Sequence, residues 1–173
     1  MRRTVAIFAT LFLLWAIVAQ VNHALSGAHV YLWVGGLFIT YSALTLPLRS
    51  GLAASLLGGL LVDATTSVSF GLHALLFALA HTFIFNIRDR LPRDETTARV
   101  IVALFANLAL FLVFSFLQIG RVPTPSTVWP RLILDLLCSQ VFLTLVAPWF
   151  FALQARTLEA ADAFAALYER RFQ

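Results

Sequence analysis

Residues 51–90 read GLAASLLGGLLVDATTSVSFGLHALLFALAHTFIFNIRDR, and the fold turns on how this stretch is divided. Two apolar runs, 51–68 and 71–87, meet at a small and polar centre that holds Asp63, Thr65, Thr66 and Ser69; Arg88 and Arg90 close the stretch. Each run has about 17–18 residues, roughly 26 Å as a helix at 1.5 Å per residue, slightly less than a hydrocarbon core of about 30 Å. The two runs are therefore either a pair of short membrane-spanning helices or a re-entrant hairpin. In both cases the chain returns to the side it left, so the topology of the remainder is the same.

Working outward, composition places the whole chain in lipid. Of 173 residues, 61% are hydrophobic and 12% charged, with mean hydropathy +0.90; soluble domains carry about 45–50% apolar and about 25% charged residues. A chain this short cannot hide that excess in one aqueous core. The apolar stretches are long and continuous, whereas a transmembrane barrel shows alternating segments of about ten residues. An all-α, polytopic membrane helical bundle follows, with about six transmembrane helices at residues 4–21, 30–48, 51–68, 71–87, 100–119 and 132–153. Residues 1–153 form a single transmembrane domain, and 154–173 a tail. The first run follows Arg2 and Arg3 as a signal peptide would. It is longer than a usual h-region and no clean small-x-small site follows it, so it reads as a retained helix.

The basic residues, all arginine, set the orientation. With the N-terminus inside, the inner side carries Arg2, Arg3, Arg49, Arg88, Arg90, Arg93, Arg99, Arg156, Arg170 and Arg171, and the outer side only Arg121 and Arg131. Such a bias places both termini in the cytoplasm of a bacterial inner-membrane protein. Tyr31, Trp33 and Trp129 then fall near the outer interface and Trp149 near the inner one, as an aromatic belt. In the tail, Leu158, Ala161, Ala165, Tyr168 and Phe172 recur at helical spacing, largely apart from Arg156, Glu159, Asp162, Glu169 and Arg170. That pattern is a short amphipathic helix, on the cytoplasmic leaflet or extending the sixth span. Arginines that flank spans, without a clustered basic face on a soluble fold, give no reason to expect nucleic-acid binding. A single cysteine, Cys138, excludes an internal disulfide and a thiolate metal cluster.

Polar residues within apolar spans carry information, because each is expensive at bilayer depth unless paired or hydrated. Asp63 falls in the outer half of the third segment. It either hydrogen-bonds the turn before the fourth segment or binds a solute or partner. Asp135 lies four residues after Arg131 at the start of the sixth span, a favourable ion-pair spacing near a helix N-terminus; it could also share an outward-facing polar pocket with Asp63 and His73. His73 and His81 share a helix face, but their spacing matches no metal site. Asn107, Gln118 and Gln140 read as interhelical hydrogen-bond formers. No nucleophile has a base in a recognisable arrangement and no phosphate loop occurs, so neither an enzyme nor a cofactor is expected. Small residues at four-residue spacing, Gly51, Ser55 and Gly59 in one row and Ala54 and Gly58 in another, let helix backbones approach within the bundle or at a partner's helix.

In the opening stretch a glycine-rich helix ends in Gly59-Leu60-Leu61-Val62-Asp63, and Phe70-Gly71 then leads to Ala74-Leu75. This resembles the MreD family, bacterial rod-shape-determining membrane proteins, in which G-x-x-x-D leads through a short turn to L/F-G-x-x-A-L. Gly59, Asp63, Phe70, Gly71, Ala74 and Leu75 match. The resemblance covers about 40 residues; elsewhere only the size and the expected spans agree. It implies a non-catalytic scaffold of the elongation machinery that inserts peptidoglycan along the side wall. The partners it implies are membrane lipid, a bitopic MreC-like protein and, indirectly, MreB filaments, RodA and a penicillin-binding transpeptidase. The alternative is the substrate-binding membrane subunit of an energy-coupling-factor vitamin transporter, a fold that MreD resembles. That reading needs an outward pocket and small residues on the first helix, where Ala6 with Thr10, or Ala16 with Gln20, match poorly.

Overall fold

The computed structural model describes residues 2–66, 68–91, 95–119 and 125–171, with side chains in the last stretch described for 128–164. Expectations that rest on Ser67, Arg93, Arg121 and Phe172, and on the side chains of Ala165, Tyr168, Glu169, Arg170 and Arg171, lie outside the described residues. All regular structure among the described residues is helical: α1 (Arg2–Leu25), α2 (Gly35–Thr45), α3 (Leu48–Asp63), α4 (Leu72–Ile87), α5 (Thr96–Ile119) and α6 (Pro125–Arg171), with short 3-10 turns after α1 and α4. Three of them, within Arg2–Ala28, Thr96–Ile119 and Val128–Phe164, are long and apolar enough to cross a membrane. The exterior is correspondingly apolar. Phe83, Phe105, Val141, Leu145 and Trp149 are all more than 60% exposed, far more apolar surface than a soluble monomer displays.

Helix α2 is the core. Every residue from Gly35 to Leu44 is buried, as expected of a helix apolar on all sides. It packs on α3, α4 and α5 and touches α6, while α1 lies against α3 and α6. Gly36 allows the approach to α5: a Cβ there would stand 2.8 Å from Asn107 N. Helix α6 runs antiparallel to α1, with Gln154 Nε2 donating to Thr10 Oγ1 at 3.3 Å and Arg3 forking onto Asp162 through two 3.0 Å hydrogen bonds.

Several expected boundaries move. The second segment is not one helix over 30–48. Residues 30–34 are non-helical, and α2 has only 11 residues. It stops before Pro47 because the residue preceding a proline is pushed out of the helical region; Leu46 sits at φ −93°, ψ 157°. Helix α3 begins immediately afterwards and ends at Asp63 rather than 68, α5 starts four residues before residue 100, and α6 starts at 125 rather than 132. The tail is no separate unit. It continues α6 without a break, giving 47 residues, roughly 70 Å of helix. Its first turns dock through buried Gln154 and through Leu158, which packs on the core.

Candidate functional site

The junction of α3 and α4 is built around Asp63, which is buried with its carboxylate saturated. Its Oδ2 accepts from Gly71 N at 3.0 Å and Ala74 N at 3.1 Å. Its Oδ1 accepts from His73 N at 3.0 Å and faces His73 Nδ1 at 2.7 Å. The acceptor carboxylate fixes the proton of the imidazole on Nδ1. The first N–H groups of a helix lack intrahelical partners, and the macrodipole places partial positive charge there. Asp63 answers both needs for α4, so the hydrogen-bonded turn is the role its geometry fills. Gly71 adopts φ +93°, a left-handed conformation that glycine takes without strain. Gly59 lets α3 reach the start of α4: a Cβ there would collide with Ala74 Cα and stand 2.6 Å from Ala74 N. Four of the six motif residues, Gly59, Asp63, Gly71 and Ala74, thus belong to one construction. The other two, Phe70 and Leu75, point outward with 73% and 56% exposure.

The small-residue rows of α3 are filled within the chain. Ala54 and Ser55 are fully buried; a Cβ on Gly58 would stand 2.9 Å from Phe38 Cδ1, and one on Gly51 2.8 Å from Ser42 O. The face of α3 left open carries Leu56, Leu57 and Leu60.

Asp135 does not form the expected pair with Arg131; no such ion pair occurs among the described residues. Its Oδ1 instead accepts from Tyr31 N at 2.9 Å. Further along the same non-helical stretch, Trp33 N donates to Ser139 Oγ at 2.9 Å, and Asn22 exchanges two bonds with Leu32 at 2.7 and 3.0 Å. Asn107 takes the Gly36 N–H and donates to Trp33 O. Backbone outside a helix has no place at membrane depth unless protein satisfies it, and four side chains from α1, α5 and α6 do so here. Tyr31 to Trp33 advances by two residues while Asp135 to Ser139 advances by four, so the stretch descends alongside α6. Trp33 is half-buried and packs against Phe77, Phe111 and Phe114 at centroid distances of 5.8–6.4 Å. The sequence offered one signal for this break, the Gly35-Gly36 pair after Val30–Val34.

Two cavities flank this stretch. One, about 240 Å³, lies towards α1 and is lined by Trp15, Asn22 and Thr65 among others. The second, about 210 Å³, is lined by His73, Ser115, Gln118 and Asp135. Tyr31, Trp33 and Thr66 line both, and Thr66 Oγ1 is buried without a hydrogen-bond partner. His73 and Asp135 do share a pocket, and Asp63 stands behind His73, outside its lining.

A third polar cluster escaped sequence reading. Ser55 Oγ lies 2.8 Å from His81 Nδ1 and 3.1 Å from Ser42 Oγ. The distance suits a nucleophile and its base, but all three side chains are buried by α2, α3 and α4. The cluster is an interhelical hydrogen-bond network. His73 and His81 face different partners, and among the described residues no three His, Cys, Asp or Glu side chains converge as metal ligands.

A helical bundle with an apolar exterior and three helices long and apolar enough to cross a membrane is the class that fold and surface define among the described residues. No protein-family model, curated protein or solved structure matches the chain.

Proposed function

We propose that this protein is a non-catalytic, MreD-like scaffold of the bacterial elongation machinery, helping to organise peptidoglycan synthesis through a bitopic MreC-like partner. The observation that carries the proposal is the convergence of Gly59, Asp63, Gly71 and Ala74 on one rigid α3–α4 junction, which presents Phe70 and Leu75 outward. A motif whose polar members are all used internally suits a structural element that offers a shaped apolar surface. In this reading the chain crosses the inner membrane six times with both termini cytoplasmic. The arginine bias supports that orientation, and α3 and α4, roughly 24 Å each, cross as a short hairpin. The connection to MreB filaments, RodA and a penicillin-binding transpeptidase is indirect, through the bitopic partner. Depletion in a rod-shaped host is expected to round the cells, and tagged protein to co-purify with a bitopic partner. Rods of normal shape after verified depletion would overturn the proposal.

One observation favours the second reading, a substrate-binding subunit of an energy-coupling-factor transporter. The two cavities beside Tyr31–Trp33 meet at the unpartnered Thr66 hydroxyl. That reading requires a small molecule to co-purify with the protein or to protect it thermally.

A further inference from the structure

The opposite end of the bundle, where α1 begins, holds a different kind of cavity. It measures about 490 Å³ and is lined by Arg3, Arg88 and Arg99 together with the turn between α2 and α3, residues 44–47. None of the described residues lining it is acidic. Two carboxylates outside the lining meet its arginines: Asp162 bonds Arg3, and Asp89 lies 3.9 Å from Arg88 Nε. Arg88 is held in place from two directions, donating to Leu46 O at 3.0 Å and lying 3.9 Å above the Phe85 ring. Arg99 lies over the Tyr41 ring. Clustered guanidinium groups suit a phosphate, whose oxygens accept paired, charge-assisted hydrogen bonds.

A second cavity opens beside the same arginines. Helices α4 and α5 diverge to leave a groove of about 650 Å³ lined only by apolar side chains, from Leu76 to Ile87 and Leu91 on one wall and from Ile101 to Val113 on the other. Among the groove-lining residues, Ile84 stands four residues before Arg88 and Val102 three residues after Arg99, spacings that share a helix face, so the groove runs towards the arginine pocket. Along the helices the groove extends roughly 16–18 Å, about half of a 30 Å hydrocarbon core. A partner's transmembrane helix would need the full thickness and leaves the arginines without a role. A single lipid in one leaflet matches both dimensions.

We propose that the chain binds an anionic phospholipid, with its phosphate in the Arg3–Arg88–Arg99 pocket and an acyl chain in the α4–α5 groove. Basic pockets between transmembrane helices hold such headgroups in general. The proposal is independent of the scaffold reading, and its failure would leave that reading intact.

Native mass spectrometry of the full chain, exchanged into mixed micelles of phosphatidylglycerol and phosphatidylcholine, tests it. Phosphatidylglycerol is expected to be retained over phosphatidylcholine by about tenfold, equivalent to 1.4 kcal/mol. The pair Arg88→Gln and Arg99→Gln should bring the ratio near one, and Ala106→Trp, which fills the groove, should lower retention with the arginines intact. Soluble glycerol phosphate should compete only weakly; full competition would assign the site to free phosphate and overturn the lipid proposal. Equal retention of the two lipids would also overturn it, as would an unchanged preference in a folded arginine variant. Should the arginine pair unfold, Ala106→Trp decides alone: unchanged retention sinks the proposal.

Discussion

Two carboxylates buried near the same end of the bundle, Asp63 and Asp135, do similar work by different routes. Asp63 closes a local hairpin. Its three backbone donors lie only 8 to 11 residues ahead of it in the chain. Asp135 reaches a single backbone N–H, that of Tyr31, 104 residues away, and does so within a set of four side chains that replace the missing helix of residues 30–34. One carboxylate completes a helix; the other substitutes for one. The difference matters because a local cap forms with its own helix, whereas the support of an extended stretch exists only after α1, α5 and α6 have packed around it.

That contrast ranks the substitutions. The largest effect is expected for Asp63→Ala, which strands the buried N–H groups of His73 and Ala74, the half-buried one of Gly71 and the His73 ring, and should destabilise the protein by about 3 kcal/mol. Thermal unfolding in detergent measures it, and a loss no greater than at Asp135 would erase the distinction drawn here. Gly59→Leu should follow at about 1–3 kcal/mol through overpacking, because its side chain would have to displace the Ala74 backbone. Spectroscopic reporters on α3 and α4 should show the two helices moving apart. Asp135→Asn keeps an oxygen for Tyr31 N and should cost about 1 kcal/mol or less, whereas Asp135→Leu removes the acceptor and should expose the 30–34 amides to hydrogen exchange. Phe70→Ala and Leu75→Ala are expected within about 0.5 kcal/mol of the parent, since both side chains face outward. Under the scaffold proposal they should nevertheless weaken co-purification of the bitopic partner. Loss of folding in these two variants would place them in the core and break the division between buried and presented motif residues.

The hairpin was the more legible region. Its glycines, its aspartate and the small polar turn are contiguous, so local chemistry is enough to suggest a capped junction. The Asp63–His73 contact follows from a ten-residue separation across one turn. The extended stretch was illegible for the converse reason. Val30–Val34 is as apolar as a helix interior, and hydropathy cannot separate an extended backbone from a helical one when both are buried. The side chains that satisfy it looked like ordinary intramembrane polar residues: Asn107 an interhelical bridge, Asp135 a partner for nearby Arg131. The Ser42–Ser55–His81 network was hidden likewise, because its members come from three helices and only packing aligns them.

Composition and periodicity alone determined that this chain is helical and apolar on its exterior, because lipid as solvent leaves a backbone few alternatives. They also marked the α3–α4 junction, whose interactions are short-range in sequence. Tertiary structure decided that the second segment opens with five non-helical residues before the buried helix α2, and that Asp135 serves Tyr31 and not Arg131. It also decided that the small residues of α3 face inward and that Arg3, Arg88 and Arg99 gather around one pocket. Each of these depends on groups tens to more than a hundred residues apart, and no local propensity encodes which of them will meet.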